Sequence, residues 1–276
     1  MAVLLAEGGR REWSRVDVGA LAACVRELPL PGPLREAWAR YAEEEVAMAG
    51  GRERVMDDAQ RRVLRVAATV LPAFGFELGG GTALAAAYLG HRRSEDLDLF
   101  TGEREIGPAL EAFRDALRRE GLAVEAEPHH VGRTFARLFV GARPVKVELG
   151  CDSPLHIRPS TRTLEGMPVR SLEDLAAVKV LALFGRAEAR DFVDVYQLVR
   201  THFDWSELFD LARWKDPGFR EEWFVRALQQ VDRVGPGCVE PLMPLDFDDL
   251  RSEFVRAAAR LIRRATQSEE HEGGAS

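Results

Sequence analysis

The sequence predicts an α+β fold: a small mixed sheet with flanking helices and a helical C-terminal region. Three observations carry this. Apolar residues recur at helical spacing up to about residue 71 and again from Ser171 onward. Between them, over about 74–170, short stretches alternate apolar and polar residues with period two, the mark of half-buried strands. Glycines and prolines punctuate the boundaries of both kinds of segment.

Taken in order, residues 17–27 and 34–49 read as helices, separated by Pro29-Leu30-Pro31-Gly32-Pro33 and closed by Gly50-Gly51. They define an N-terminal helical region, 1–57. A helix over 57–71 places Val63, Val66, Ala67 and Val70 on one face and opens a core region, 58–170. Phe76-Glu77-Leu78 is strand-like and runs into Gly79-Gly80-Gly81-Thr82, after which 83–89 is helical. Leu97–Phe100 reads as a strand. Residues 107–120 form an amphipathic helix with Leu110, Phe113 and Leu117 inward. Strands follow near 122–127, 134–140, 144–150 and 167–170. Ser171-Leu172-Glu173-Asp174 has the form of a capping box and opens a helical region, 171–266. Its helices lie at 172–184, 188–201, 206–213, 219–231 and 247–266, and the polar, acidic stretch 267–276 reads as a disordered tail. Trp205, Phe209, Trp214, Phe219, Trp223 and Phe224 read as helical core.

The chain has 276 residues, 46% hydrophobic and 30% charged, which is globular composition with ample length for a core. No apolar run reaches the roughly 18 residues of a membrane span, and the first residues lack the basic-then-apolar order of a secretory signal. Cys24, Cys151 and Cys238 are odd in number and widely spaced, which argues against a disulfide framework or a zinc site and for a reducing cytoplasm. The net charge is −7, and only residues 126–200 are net positive, with 11 Lys+Arg against 9 Asp+Glu. Loose binding to nucleic acid is disfavoured; a local basic face is not.

The chemistry centres on Asp96-Leu97-Asp98-Leu99-Phe100. Strand alternation puts Asp96 and Asp98 on one face and both leucines on the other. Adjacent like charges repel. A divalent cation relieves them, and Mg²⁺ favours one or two carboxylates plus substrate phosphates. A half-exposed acidic strand would look the same, so the second feature matters. Gly79-Gly80-Gly81-Thr82 joins a strand to a helix start, a place where backbone amides gather an anion. Val145-Lys146-Val147-Glu148-Leu149 also alternates. If it lies beside 97–100, Glu148 completes a carboxylate triad, with Asp152 a weaker candidate. Such a triad suits two-metal chemistry.

These residues resemble a known signature. Leu78-Gly79-Gly80-Gly81-Thr82-Ala83-Leu84 followed by Arg93-Ser94-Glu95-Asp96-Leu97-Asp98-Leu99-Phe100 is similar to the AbiEii/AbiGii toxin family, within the polymerase-β-like nucleotidyltransferases. Val178-Lys179-Val180-Leu181-Ala182-Leu183 and Arg190-Asp191-Phe192-Val193-Asp194-Val195-Tyr196 extend the likeness over about 75–200. The resemblance implies a nucleotidyltransferase sheet. Gly80, Gly81 and Thr82 would cradle nucleotide phosphates, with Arg93 and Ser94 beside them. Asp96 and Asp98 would hold Mg²⁺ or Mn²⁺, and Lys179 and Asp191 would line the nucleotide site. It implies a nucleoside triphosphate substrate, an RNA acceptor such as the 3′ end of tRNA, and an antitoxin protein as partner. One departure is Leu78-Gly79 where a basic residue commonly precedes the glycines.

Read physically, Asp191 and Asp194 share one helix face, and Arg190 is placed to pair with Asp194 at four residues. Lys179 sits among apolar neighbours, snorkelling or aimed at a buried acid or a phosphate. His129-His130 point to opposite strand faces and read as surface; Arg133 and Arg137 read as surface cations or as an RNA groove. A small-molecule acceptor, and a non-catalytic nucleotide-binding member, remain as alternatives on the same core.

Overall fold

The computed structural model describes residues 51–273, and the helices expected before residue 50 lie outside that range. Residues Gly51–Ser276 form one compact unit by themselves. Residues 51–54 are helical, so Gly51 is not a helix breaker here. Gly51 serves another need: a Cβ there would sit 2.1 Å from the Gly90 carbonyl oxygen, so two backbones pass in contact.

Helix α1 (Asp58–Val70) begins at Asp57, whose side chain caps Gln60 while Gln60 returns the bond, a complete capping box. It buries Val63, Leu64, Val66 and Ala67. Strand β1 (Glu77–Leu78) enters the glycine turn and helix α2 (Gly80–Leu84), which continues as a single π-helical turn, Ala85–Leu89. Strand β2 (Asp96–Thr101), helix α3 (Gly107–Arg119), and strands β3 (Val124–Val131), β4 (Phe135–Val140) and β5 (Val145–Cys151) follow. A short β6 (Arg162–Leu164), which the sequence pattern does not signal, pairs with β7 (Met167–Val169). Helices α4 (Leu172–Gly185), α5 (Ala189–Thr201), α6 (Trp205–Lys215), α7 (Glu221–Leu228) and α8 (Phe247–Gly273) complete the chain. Helix α8 runs past residue 266 into the stretch whose polar composition predicts no structure.

The seven strands form one mixed sheet in the order β3-β4-β5-β2-β1-β7-β6. The site depends on its centre. β2 and β5 are parallel, with Asp96 beside Lys146, Asp98 beside Glu148 and Phe100 beside Gly150. β1 runs antiparallel to β2 on the other side, Glu77 against Phe100. Leu97, Leu99, Val147 and Leu149 are fully buried on the opposite face. Period-two alternation has therefore sorted the strands as expected, apolar side chains inward and charges toward one open face.

Ser171 makes only half of the expected capping box. Its hydroxyl caps the Asp174 amide, but the Asp174 carboxylate accepts from the Ile157 and Arg158 amides and from Lys215 Nζ. Among the aromatic residues of 205–224, Trp205, Phe209, Phe219 and Phe224 interlock by edge and tilted ring contacts. Trp214 and Trp223 instead face solvent, at 49% and 71% exposed, so the expectation of core fails for these two.

Candidate active site

The glycine turn is laid directly on the acidic strand. Gly79 N–H donates to the Asp98 carbonyl at 2.8 Å. Thr82 Oγ1 bonds to the Asp96 carbonyl and, at 2.7 Å, to Ser94 Oγ. Gly80 has φ +65°, and a Cβ on it would lie 1.9 Å from Asp98 Oδ2. The turn thus requires glycine twice over, for its left-handed backbone and for the carboxylate pressed against it. Gly81 packs the same way on a base: its Cβ would lie 2.6 Å from Arg92 Nη2. A Cβ on Gly79 would lie 2.8 Å from the Phe100 ring, which explains a glycine where a basic residue is common; a side chain would evict the ring.

The turn therefore joins a carboxylate and a guanidinium on consecutive glycines. Thr82, expected to touch phosphate, is fully buried, with its hydroxyl spent on Ser94 and the Asp96 carbonyl. It and Ser94 fasten the turn to β2. The Arg93 guanidinium pairs with Glu240 at 2.7 Å in solvent. The arginine at the turn is its neighbour Arg92, which the sequence pattern does not single out.

Asp96, Asp98 and Glu148 share the open face by register. Burial, then the Glu148 and Asp96 charges, push the Asp98 carboxyl up to about 6. The three do not form a closed ligand set. Among the described residues no three acidic, imidazole or thiol side chains converge as a metal cluster. Glu148 Oε1 accepts from Arg137 Nε at 2.8 Å and lies 3.2 Å from Lys146 Nζ, which also donates to Asp96 Oδ2 at 2.9 Å. Arg137 further bonds Glu127 and Arg133 bonds Glu105, so both arginines are engaged in ion pairs. Asp152 lies apart, accepting from Arg170 Nη1 at 2.5 Å. His129 and His130 lie in β3, and their side chains are outside the described residues.

Behind the glycine turn stands a buried charge cluster. Asp191 and Asp194 do share a face of α5, and both are fully buried. Asp194 does not pair with Arg190, which bonds Glu188 instead at 2.8 Å. It takes Arg92 in two bonds, Nε at 2.7 Å and Nη2 at 2.8 Å, with His91 Nε2 at 2.7 Å and Lys179 Nζ at 2.8 Å. Burial alone would raise the Asp194 carboxyl; Arg92, Lys179 and the hydrogen bonds outweigh it and hold it well below the usual carboxylate range. Burial lowers the His91 pKa, so the neutral ring donates through Nε2, leaving Nδ1 with no hydrogen-bond partner among the described residues. Asp191 accepts two bonds from Arg186 at 2.8 and 2.9 Å, and Lys179 stands 3.5 Å away.

Arg92, Arg186 and Lys179 thus stand around Asp191 and Asp194, with Glu188 3.8 Å from Arg186. Asp98 lies beside this cluster, and its charge is felt at both arginines. An acidic pair, a glycine turn and a cationic backing together suit a metal-bound polyphosphate, held by charge and position. Asp194, Arg92 and His91 join this cluster without a site role assigned to them from the sequence.

A family described as "Nucleotidyl transferase AbiEii toxin, Type IV TA system" matches residues 62–265. An uncharacterised protein of Aquifex aeolicus (strain VF5) is 28% identical over 184 residues, covering 66% of this chain and 85% of that protein. A crystal structure described as that of a "putative nucleotidyltransferase from H. pylori" superposes with TM-score 0.51 at 19% identity, over 77% of this chain and 98% of that one. This second likeness concerns the fold, and the family match rests on the sequence itself. The chain belongs to the AbiEii nucleotidyltransferase toxin family.

Proposed function

We propose that this enzyme transfers a nucleoside monophosphate from a nucleoside triphosphate to an RNA end, in the manner of a toxin restrained by an antitoxin protein, and that it depends on Mg²⁺ or Mn²⁺. The observation that carries this is the close approach of the Gly80 backbone to the Asp98 carboxylate. It brings the glycine turn and the acidic pair to one point. Hard oxygen donors and the raised Asp98 carboxyl fit a divalent cation, which would neutralise the pair and bind phosphate oxygens.

Asp96 and Asp98 would hold that cation, with Glu148 joining once Lys146 and Arg137 release it. When bound, the metal would supply charge stabilisation at phosphoryl oxygens and help activate a hydroxyl. The chain's own groups do the rest. The amides of Gly80 and Gly81 bind the triphosphate, and Arg92, held by Asp194, backs the turn. Lys179 stands between Asp191 and Asp194 and neutralises charge developing on the leaving pyrophosphate. Ser94 keeps the turn in register through Thr82. Free Cys151 and Cys238 suit work in a reducing cytoplasm. Among the described residues no helix is long and apolar enough to cross a membrane.

The test is transfer itself. Protein, Mg²⁺, each α-labelled nucleoside triphosphate and total tRNA are incubated beside Asp96→Asn. Label on RNA with wild type, and a loss of about a thousandfold or more in the variant, is expected when a metal carboxylate is removed. Triphosphate binding with no labelled RNA, and label instead on a small molecule, would replace the RNA reading with a small-molecule acceptor. No triphosphate binding would remove the catalytic reading.

A further inference from the structure

We propose that the groove between the end of α4 and α7 is a docking site for the single-stranded end of the RNA acceptor; the inference rests on the RNA reading above and adds where the RNA sits. The groove has a volume of about 550 Å³ and is lined by Phe184, Trp223, Arg226, Gln230 and Arg233, among others. Phe184 forms a fixed wall, its ring stacked on Phe224 and edge-on to Phe219. Trp223 stands beside it at 71% exposed, the most exposed large apolar side chain among the described residues. An indole standing alone in water beside an aromatic ring is ordinary protein surface. It is, however, what a nucleobase needs for stacking.

The charges favour a polyanion over a protein. Arg226 and Arg233 are exposed and have no ion pair among the described residues. Arg233 is oriented by a bond to Gln230 at 2.9 Å. Against these two cations the lining carries one acid, Asp232. Guanidinium groups beside an aromatic plane are the combination that holds single-stranded nucleic acid, phosphates on the cations and bases on the ring. Beyond Phe184 and Trp223 the apolar lining is Ala227 alone and the uncharged rest is amide, which leaves only a small hydrophobic centre for a protein partner.

Position ties the groove to the chemistry. Phe184 and Lys179 lie on the same helix, five residues apart, a rise of about 7.5 Å. They occupy different sides of α4, so a strand lying on Trp223 would pass around the helix end, by Arg186, to reach the glycine turn. Arg186 is 45% exposed there while it grips Asp191. The acceptor's last nucleotides then run from the groove to the acidic face.

The experiment uses the full chain with a tRNA acceptor, and compares wild type, Trp223→Ala and Arg226→Ala/Arg233→Ala. RNA affinity, affinity for a fluorescent triphosphate analogue and transfer kinetics are all measured. Trp223→Ala is expected to raise the KM for RNA about tenfold, the scale of one base left unstacked, with triphosphate affinity and melting temperature unchanged. The double variant is expected to weaken RNA binding and reduce the slope of log affinity against log salt by about 1.4, that is about 0.7 for each single-strand phosphate no longer neutralised. If wild type labels RNA and the variants label and bind it equally well, the groove is overturned and the RNA reading stands. If wild type binds triphosphate but no RNA, the RNA reading falls and the groove with it. Loss of a co-purifying protein partner with RNA binding intact would assign the groove to protein and overturn the proposal.

Discussion

Asp98 sits on a conflict between folding and chemistry. Its carboxyl, near 6 in the folded state against 3.8 when free, binds protons in the fold that the unfolded chain releases. The sign follows: metal-free stability falls as pH rises from about 4 to about 6, and is lowest above that. Asp98→Asn removes the charge, so in chelator it should melt higher than wild type at pH 8 and match it at pH 5. The gain should be about 1–2 kcal/mol after discount for partial exposure. Equal melting at both pH values would disprove the account. The same variant should lose transfer activity, the usual cost of a charge kept for function. Gly80→Ala should fail differently. With φ +65° and its Cβ 1.9 Å from Asp98 Oδ2, it must move either the turn or the carboxylate. A loss of stability of about 1–3 kcal/mol, together with loss of triphosphate binding, is expected from urea titration and a binding assay. At this scale much was legible. Period two alone placed Asp96 and Asp98 on one face, because a strand has only two. Arg92 was not legible: in a loop no period says which of two adjacent arginines turns inward, and Asp194, far along the chain, decides it.

Helix α5 shows how packing overrides local spacing. A four-residue interval offers Arg190 to Asp194, but such a surface pair is worth only about 0.3–0.5 kcal/mol. The face carrying Asp194 is instead turned into the molecule, where α4 brings Lys179 and the loop before β2 brings His91 and Arg92. Once buried, the carboxylate must be matched, and these three groups match it. Asp194→Ala would leave Arg92 and Lys179 without their closest counter-charge in a dry interior. It should cost about 3–5 kcal/mol, read by urea unfolding, against no more than about 0.5 kcal/mol for Arg190→Ala. Similar costs for the two variants would show that Asp194 is solvated in solution. The exposed Trp223 escaped the sequence pattern for the converse reason. Its helix has apolar residues enough to fill the core, and composition alone does not tell which aromatic is left over.

The charge cluster also bears on the whole molecule. Sequence composition separates a sheet-rich stretch, 58–170, from a helical one, 171–266, yet the residues that complete the site cross this division. Arg92 and His91 precede β2, whereas Lys179, Asp191 and Asp194 belong to α4 and α5. Tyr88 donates to the Arg170 carbonyl at the junction, and the Asp174 carboxylate, at the start of α4, is bound by Lys215 of α6. A chain cut after Arg170 would expose Arg92 and His91, only 5% and 3% exposed in the fold, with no acid to hold them. The sheet and helical parts should therefore open together. Native-state hydrogen exchange on the full chain tests this: the slowest amides of β2 and β5 and those of α4 and α5 should share one opening free energy. They should fall by the same amount in Asp194→Ala, because one global unfolding exposes both. If β2 and β5 kept their protection while α4 and α5 lost theirs, the sheet would be a self-sufficient folding unit. Asp194 would then be a tether between two units rather than part of a shared core, and a fragment ending at Arg170 would melt cooperatively on its own.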